Sequence, residues 1–97
     1  MLFTEQPRNG FHQKSKQMSS ELLDLKTEAN AEYDAERYSN AIEIYNKAIA
    51  ISYHPILLSN RAAAYLKRNW NGDVYSALLD CYNVIHIDPS HIKAHLR

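Results

Sequence analysis

The chain has 97 residues, 45% of them apolar, which suits one small globular domain and excludes a multidomain reading. Eleven basic side chains balance eleven acidic ones, removing the global positive field expected of a nucleic-acid binder. The one cysteine, Cys81, cannot close an internal disulfide and fits a reducing compartment, the cytosol or nucleus.

Residues 1–20 hold Pro7, Gly10, several Ser and Gln, and only scattered apolar side chains (Leu2, Phe3, Phe11, Met18). Such a stretch buries too little surface to offset its ordering entropy, so it is predicted to be a disordered tail. It has no apolar run long enough for a signal peptide or a membrane span. Arg8, Lys14 and Lys16 resemble an import signal, but Glu5 and the missing amphipathic periodicity argue against one.

From Glu21 onward apolar residues recur at steps of three and four, which places them on one face of a helix. Leu22, Leu25, Ala29 and Tyr33 make the first stripe. Ala41, Tyr45 and Ala48, with Ile42 and Ile49 beside them, make the second. Leu58, Ala62 and Tyr65 form the third, and Ala77, Cys81 and Val84, flanked by Leu78 and Ile85, the fourth. Most of the seven tyrosines fall on these stripes and are expected in the core. Ser20 is placed to cap the first helix, with Glu21 in its first turn. Pro55 opens the third, where its missing N–H is harmless. Gly72-Asp73 is expected to stop the third helix and cap the fourth, and Pro89 to end the fourth. Four amphipathic helices with short loops predict two antiparallel hairpins.

The two hairpins resemble each other. Ala29, Tyr38, Ala41, Tyr45 and Ala48 align with Ala62, Val74, Ala77, Cys81 and Val84, at an offset of 33 residues in the first helix and 36 in the second. An insertion after Arg68, Asn69-Trp70-Asn71, accounts for the difference. Small residues recur where paired helices approach closely, and large ones fill the space beside them. This is the pattern of the tetratricopeptide repeat, a helix–turn–helix unit of about 34 residues. Ile92-Lys93-Ala94-His95-Leu96-Arg97 predicts the start of a fifth helix, so residues 21–97 amount to two repeats and a truncated third. Repeat arrays bury their core between neighbours. The chain is therefore expected to be part of a longer protein, with apolar surface of the second pair uncovered.

Several stretches carry a more specific likeness. Leu25-Lys26-Thr27-Glu28-Ala29-Asn30, Tyr38-Ser39-Asn40-Ala41-Ile42-Glu43-Ile44-Tyr45 and Ser59-Asn60-Arg61-Ala62-Ala63-Ala64-Tyr65 resemble the clamp-type repeats of chaperone-binding proteins. That resemblance implies recognition of acidic C-terminal peptides. The implied contacts are Lys26 and Asn30 in the first helix, Asn60 in the third, and Lys93 and Arg97 in the fifth. Lys26 and Asn30 are one turn apart and are expected to share a face away from the Leu22–Leu25–Ala29 stripe. Charge-assisted hydrogen bonds contribute roughly 1.5–3 kcal/mol each, so four or five would suffice for a micromolar peptide near 8 kcal/mol.

The run from Asn60 to Asp73 with its tryptophan-bearing turn, then Ala77-Leu78-Leu79-Asp80-Cys81 and His91-Ile92-Lys93-Ala94-His95-Leu96-Arg97, resembles the WD and tetratricopeptide repeats protein family. The likeness covers about residues 22–97. It implies an adaptor role like that of the adipose-like substrate receptors of cullin-4 ubiquitin ligases, in which the repeats accompany a WD propeller. Nothing in this chain resembles a propeller blade.

Other constellations are weak. His91 and His95 have the spacing of helical metal ligands, but no Glu-containing motif surrounds them, and a surface pair is expected. Cys81 falls at a small core position and reads as an inert thiol. Glu28/Glu32 and Glu32/Glu36 read as solvated surface charge, and two glycines make no phosphate loop. Trp70 is expected either to pack over the end of its helix pair or to anchor a partner. An all-α protein-interaction module is thus predicted, with no enzyme chemistry, cofactor or metal of its own. Proteins or acidic C-terminal peptides would be its partners, with no nucleic acid or membrane; the runner-up is an accessory domain of a larger enzyme.

Overall fold

A computed structural model describes residues 18–87, which form four α-helices: α1 Ser20–Asp34, α2 Tyr38–Ile51, α3 Pro55–Arg68 and α4 Asp73–Ile87. Each packs on the next, α1 on α2, α2 on α3 and α3 on α4. The short turns between them make successive helices antiparallel, giving the two hairpins that the repeat pattern predicts. The tail up to residue 17, Pro89 and the start of a fifth helix lie outside the described residues.

The helix ends follow local chemistry, in two places differently from expectation. Ser19, not Ser20, caps α1: its Oγ accepts the Leu22 N–H at 3.2 Å, and Ser20 is the first helical residue. Pro55 opens α3 behind His54, whose Nδ1 accepts the Ile56 N–H. α3 then ends at Arg68 because Asn69 turns left-handed (φ 56°), a conformation that asparagine tolerates. Gly72 lies beyond that stop, and its carbonyl accepts the Ser76 N–H that begins the α4 ladder. Gly72 has φ 86°, which favours glycine, while the space beside its Cα is open. Asp73 does not cap α4 with its side chain, because its carboxylate turns back to Arg68 and to the Trp70 N–H.

The core is built of small residues facing large ones. Ala29, Ala41, Ala48 and Ala64 are wholly buried and let backbones approach, while Tyr45, Leu57, Leu58 and Val84 fill the space beside them. α3, packed between α2 and α4, buries residues on two sides: Ile56, Leu57, Leu58, Ser59, Asn60, Ala62 and Ala64. In α1 the buried row is Leu22, Lys26, Ala29 and Tyr33; Leu25 is only half-buried. The stripe read in the sequence therefore holds at Leu22, Ala29 and Tyr33, with Lys26 in place of Leu25.

α4 departs further. Its buried row is Asp73, Ala77, Asp80 and Val84, so two carboxylates stand where hydrophobic residues would be expected. Cys81 is half-buried, and Leu78 and Ile85 are exposed together with Val74, Tyr75, Leu79 and Tyr82. The uncovered apolar surface expected on the second pair is therefore present. Of the seven tyrosines only Tyr33 and Tyr45 are buried; Tyr38 and Tyr65 are half-buried, and Tyr53, Tyr75 and Tyr82 are exposed.

Candidate functional site

Two of the residues proposed to recognise a peptide, Asn30 of α1 and Asn60 of α3, meet beside Tyr45 of α2. Asn30 of α1 accepts a hydrogen bond from the Tyr45 hydroxyl of α2, and its Oδ1 also lies 3.4 Å from the Asn60 Nδ2 of α3. Burial pushes the Tyr45 hydroxyl well above its ordinary range, while the Asn60 amide beside it pulls the other way. Tyr45 is therefore a fixed neutral donor, and it holds the Asn30 amide in a single orientation. Asn60 is fully buried.

Lys26 is one helical turn before Asn30, as its spacing requires. It does not stand apart from the buried stripe: its side chain lies within it, 7% exposed, and it pairs with no carboxylate among the described residues. The aliphatic stem of a lysine covers apolar surface while its ammonium seeks water, which explains how this residue replaces Leu25 in the row. The structure thus brings Asn30 and Asn60 together, with Lys26 one turn earlier on α1, and adds Tyr45, a residue that sequence reading had assigned only to the core. Lys93 and Arg97, the remaining clamp positions, lie outside the described residues, as do His91 and His95.

At the turn end of the molecule Trp70 is 61% exposed and does not fold back over the helix pair. Its position is nonetheless set. The Asp73 carboxylate accepts its backbone N–H at 2.8 Å, and the Arg68 guanidinium stacks on its ring at 4.1 Å. Arg68 is in turn held by two bonds to Asp73 and one to Ser39 of α2. Asp73 accordingly stays ionised below the usual carboxylate range, chiefly because Arg68 hydrogen-bonds its charged form.

Over 75% of its length the chain is 45% identical to WD and tetratricopeptide repeats protein 1 of Homo sapiens. Its helices are tetratricopeptide repeats similar to those of the WD and tetratricopeptide repeats protein family. The match to Protein ALTERED SEED GERMINATION 2 of Arabidopsis thaliana is 32% over 92% of the chain, and to the Aspergillus fumigatus "Heat-shock protein cognate (HSC) co-chaperone sgt12" 41% over 72%. The chain spans only 11%, 13% and 20% of these relatives, so the likeness concerns their repeat regions. No family model and no solved structure matches the chain.

Within these tetratricopeptide repeats the charged groups divide into solvated ones and clasps. Glu32 was expected to be ordinary surface charge and is not. Its carboxylate accepts two bonds from Arg37 and one from Asn40 across the α1–α2 turn, which lowers its pKa to about 2. Arg61 of α3 makes two bonds to the buried Asp80 of α4, at 2.7 and 2.9 Å, and a third to Asn46 of α2. Sequence reading missed this tie, since its members are 15 and 19 positions apart and no local pattern links them. The Cys81 thiol is raised by burial and by the neighbouring Asp80, so little thiolate forms at neutral pH. No group of three metal-ligating side chains occurs, and no helix is long and apolar enough to cross a membrane, among the described residues.

Proposed function

We propose that the chain is the partner-binding repeat module of an adaptor resembling WD and tetratricopeptide repeats protein 1, acting as a substrate receptor of a cullin-4 ubiquitin ligase. The observation that carries this reading is the 45% identity across three quarters of the chain. The tryptophan-bearing turn that suggested the family lies within the fold as an ordered, exposed feature. The lone Cys81 suits a cytosolic or nuclear setting. Deleting residues 20–87 from the complete adaptor should abolish ubiquitylation of its bound protein while leaving the adaptor on the ligase. Loss of the adaptor from the ligase would instead overturn the assignment, because the repeats would then be the docking part.

A second reading, a receptor for acidic C-terminal peptides, is supported by the meeting of Asn30 and Asn60, with Lys26 one turn before Asn30. The 3.4 Å contact between the two amides is long and weak by hydrogen-bond standards. The match to a co-chaperone agrees with this reading. Fluorescence polarisation with an acidic peptide against its C-terminal amide tests it. The free acid should bind and the amide should not, and Lys26→Ala should cost more than about 1 kcal/mol. Equal, weak binding of both peptides would remove the clamp.

A further inference from the structure

The α1–α2 turn and the inserted loop after α3 together enclose an open cleft of about 380 Å³, distinct from the Lys26–Asn30–Asn60 region. Arg37, Tyr38 and Ser39 line one wall, and Lys67, Arg68 and Trp70 the other. The geometry points to a second docking site here, for a segment of a partner protein that sets a carboxylate beside a large apolar side chain.

Three observations carry this. The first is Trp70. The insertion that bears it contributes nothing to the core, since Asn69, Trp70 and Asn71 are all exposed. Yet its backbone N–H is held by Asp73, and its indole stacks against Arg68, itself lodged near the Tyr65 ring at 5.7 Å. An exposed tryptophan held in place by other contacts loses little freedom on binding and gains from taking its ring out of water, which is why such residues dominate interaction energies.

The second observation is the supply of donors. A guanidinium has five N–H groups. Arg37 spends two on Glu32, and Arg68 spends three on Asp73 and Ser39. Lys67 is exposed and makes no ion pair among the described residues. The third is where the neutralising acids lie. Glu32 and Asp73 are not among the lining residues, whereas Arg37, Lys67 and Arg68 are, with Glu36 the one acid beside them. A ligand rich in acceptors and negative in charge fits that lining, and its apolar side chain covers the open indole face.

The full chain contains one tryptophan, so the Trp70 indole N–H gives one resolved signal in a nitrogen-correlated NMR spectrum. The probe is acetyl-phenylalanyl-aspartyl amide. Its controls are the asparaginyl analogue, which lacks the charge, and the alanyl-aspartyl analogue, which lacks the ring. The indole signal and the amides of residues 37–40 and 67–70 should move together and saturate with the probe. The asparaginyl control should bind about two- to fivefold more weakly, the range of an exposed ion pair. Removing the ring should cost more than about fivefold. Lys67→Ala should weaken the acidic probe, Glu36→Gln should tighten it, and Trp70→Ala should abolish the saturating shifts. These side chains are exposed, so the variants should keep the dispersed spectrum of the folded chain. Shifts that map to α4 or to Asn30 and Asn60, shifts equal for the charged and uncharged probes, or no shifts at all would each overturn the site. Shifts at Asn30 and Asn60 would place the acidic probe at the carboxylate clamp instead, while the other outcomes leave the adaptor and clamp readings untouched.

Discussion

Glu32 shows how much one side chain changes once its neighbours are known. In the sequence it belongs to a run of helical carboxylates that look alike. In the fold it faces Arg37 and Asn40, and its pKa falls from 4.5 to about 2. A carboxyl group whose folded pKa lies below the unfolded one adds stability that is fully present above the unfolded value. That stability is lost as pH falls from 4.5 toward 2. Asp73, lowered by Arg68, acts in the same direction. The melting temperature should therefore decline through this acid window, and Glu32→Gln should flatten the decline; a profile identical to the parent's would refute the clasp. Tyr45 is a second case. Its ring belongs to the expected stripe, while its hydroxyl orients Asn30. Tyr45→Phe keeps the packing and removes one partner of that amide, so urea denaturation should report a loss of about 1–2 kcal/mol.

Between elements, the decisive contacts are those that radiate from α3. Arg61 reaches α4 through Asp80 and α2 through Asn46, and Arg68 reaches the first turn of α4 and Ser39 of α2. Neighbouring helices are thus tied at two levels along α3, which fixes their register as well as their separation. The Asp80 side chain is 4% exposed and Arg61 21%, so removing the carboxylate leaves a largely buried cation without its partner. Asp80→Ala should then destabilise the chain by about 3 kcal/mol in chemical denaturation. A change below about 0.5 kcal/mol would mean that the pair is solvated and holds nothing together.

At the scale of the whole molecule, apolar content is divided between a core of interlocking alanines and a broad exposed face on α4. These two populations should respond oppositely to substitution. Ala48 is fully buried, and Ala48→Leu should cost about 1–3 kcal/mol through overpacking. Leu78 is 62% exposed, and Leu78→Lys should stay within about 0.5 kcal/mol when thermal unfolding is measured. Comparable losses at both positions would mean that the face is covered in solution. The two regions proposed for recognition, the Asn30–Asn60 meeting point and the Trp70 cleft, lie at different parts of the same frame, so each can be altered without touching the other.

Helical periodicity, the doubled order of small and large residues, and the proline that opens the third helix are properties of neighbours in the chain. These were legible from residue order alone: the all-α class, the two hairpins, the repeat family and the approximate limits of each helix. The placement of Lys26 in the buried row, the amide meeting of Asn30 and Asn60, and the Arg61–Asp80 and Arg68–Asp73 ties required the fold. The rotation of a helix by a fraction of a turn decides which face is covered, and distant partners meet only when neighbouring helices are packed. Local spacing carries neither quantity, because both are set by the contacts that one helix makes with the next.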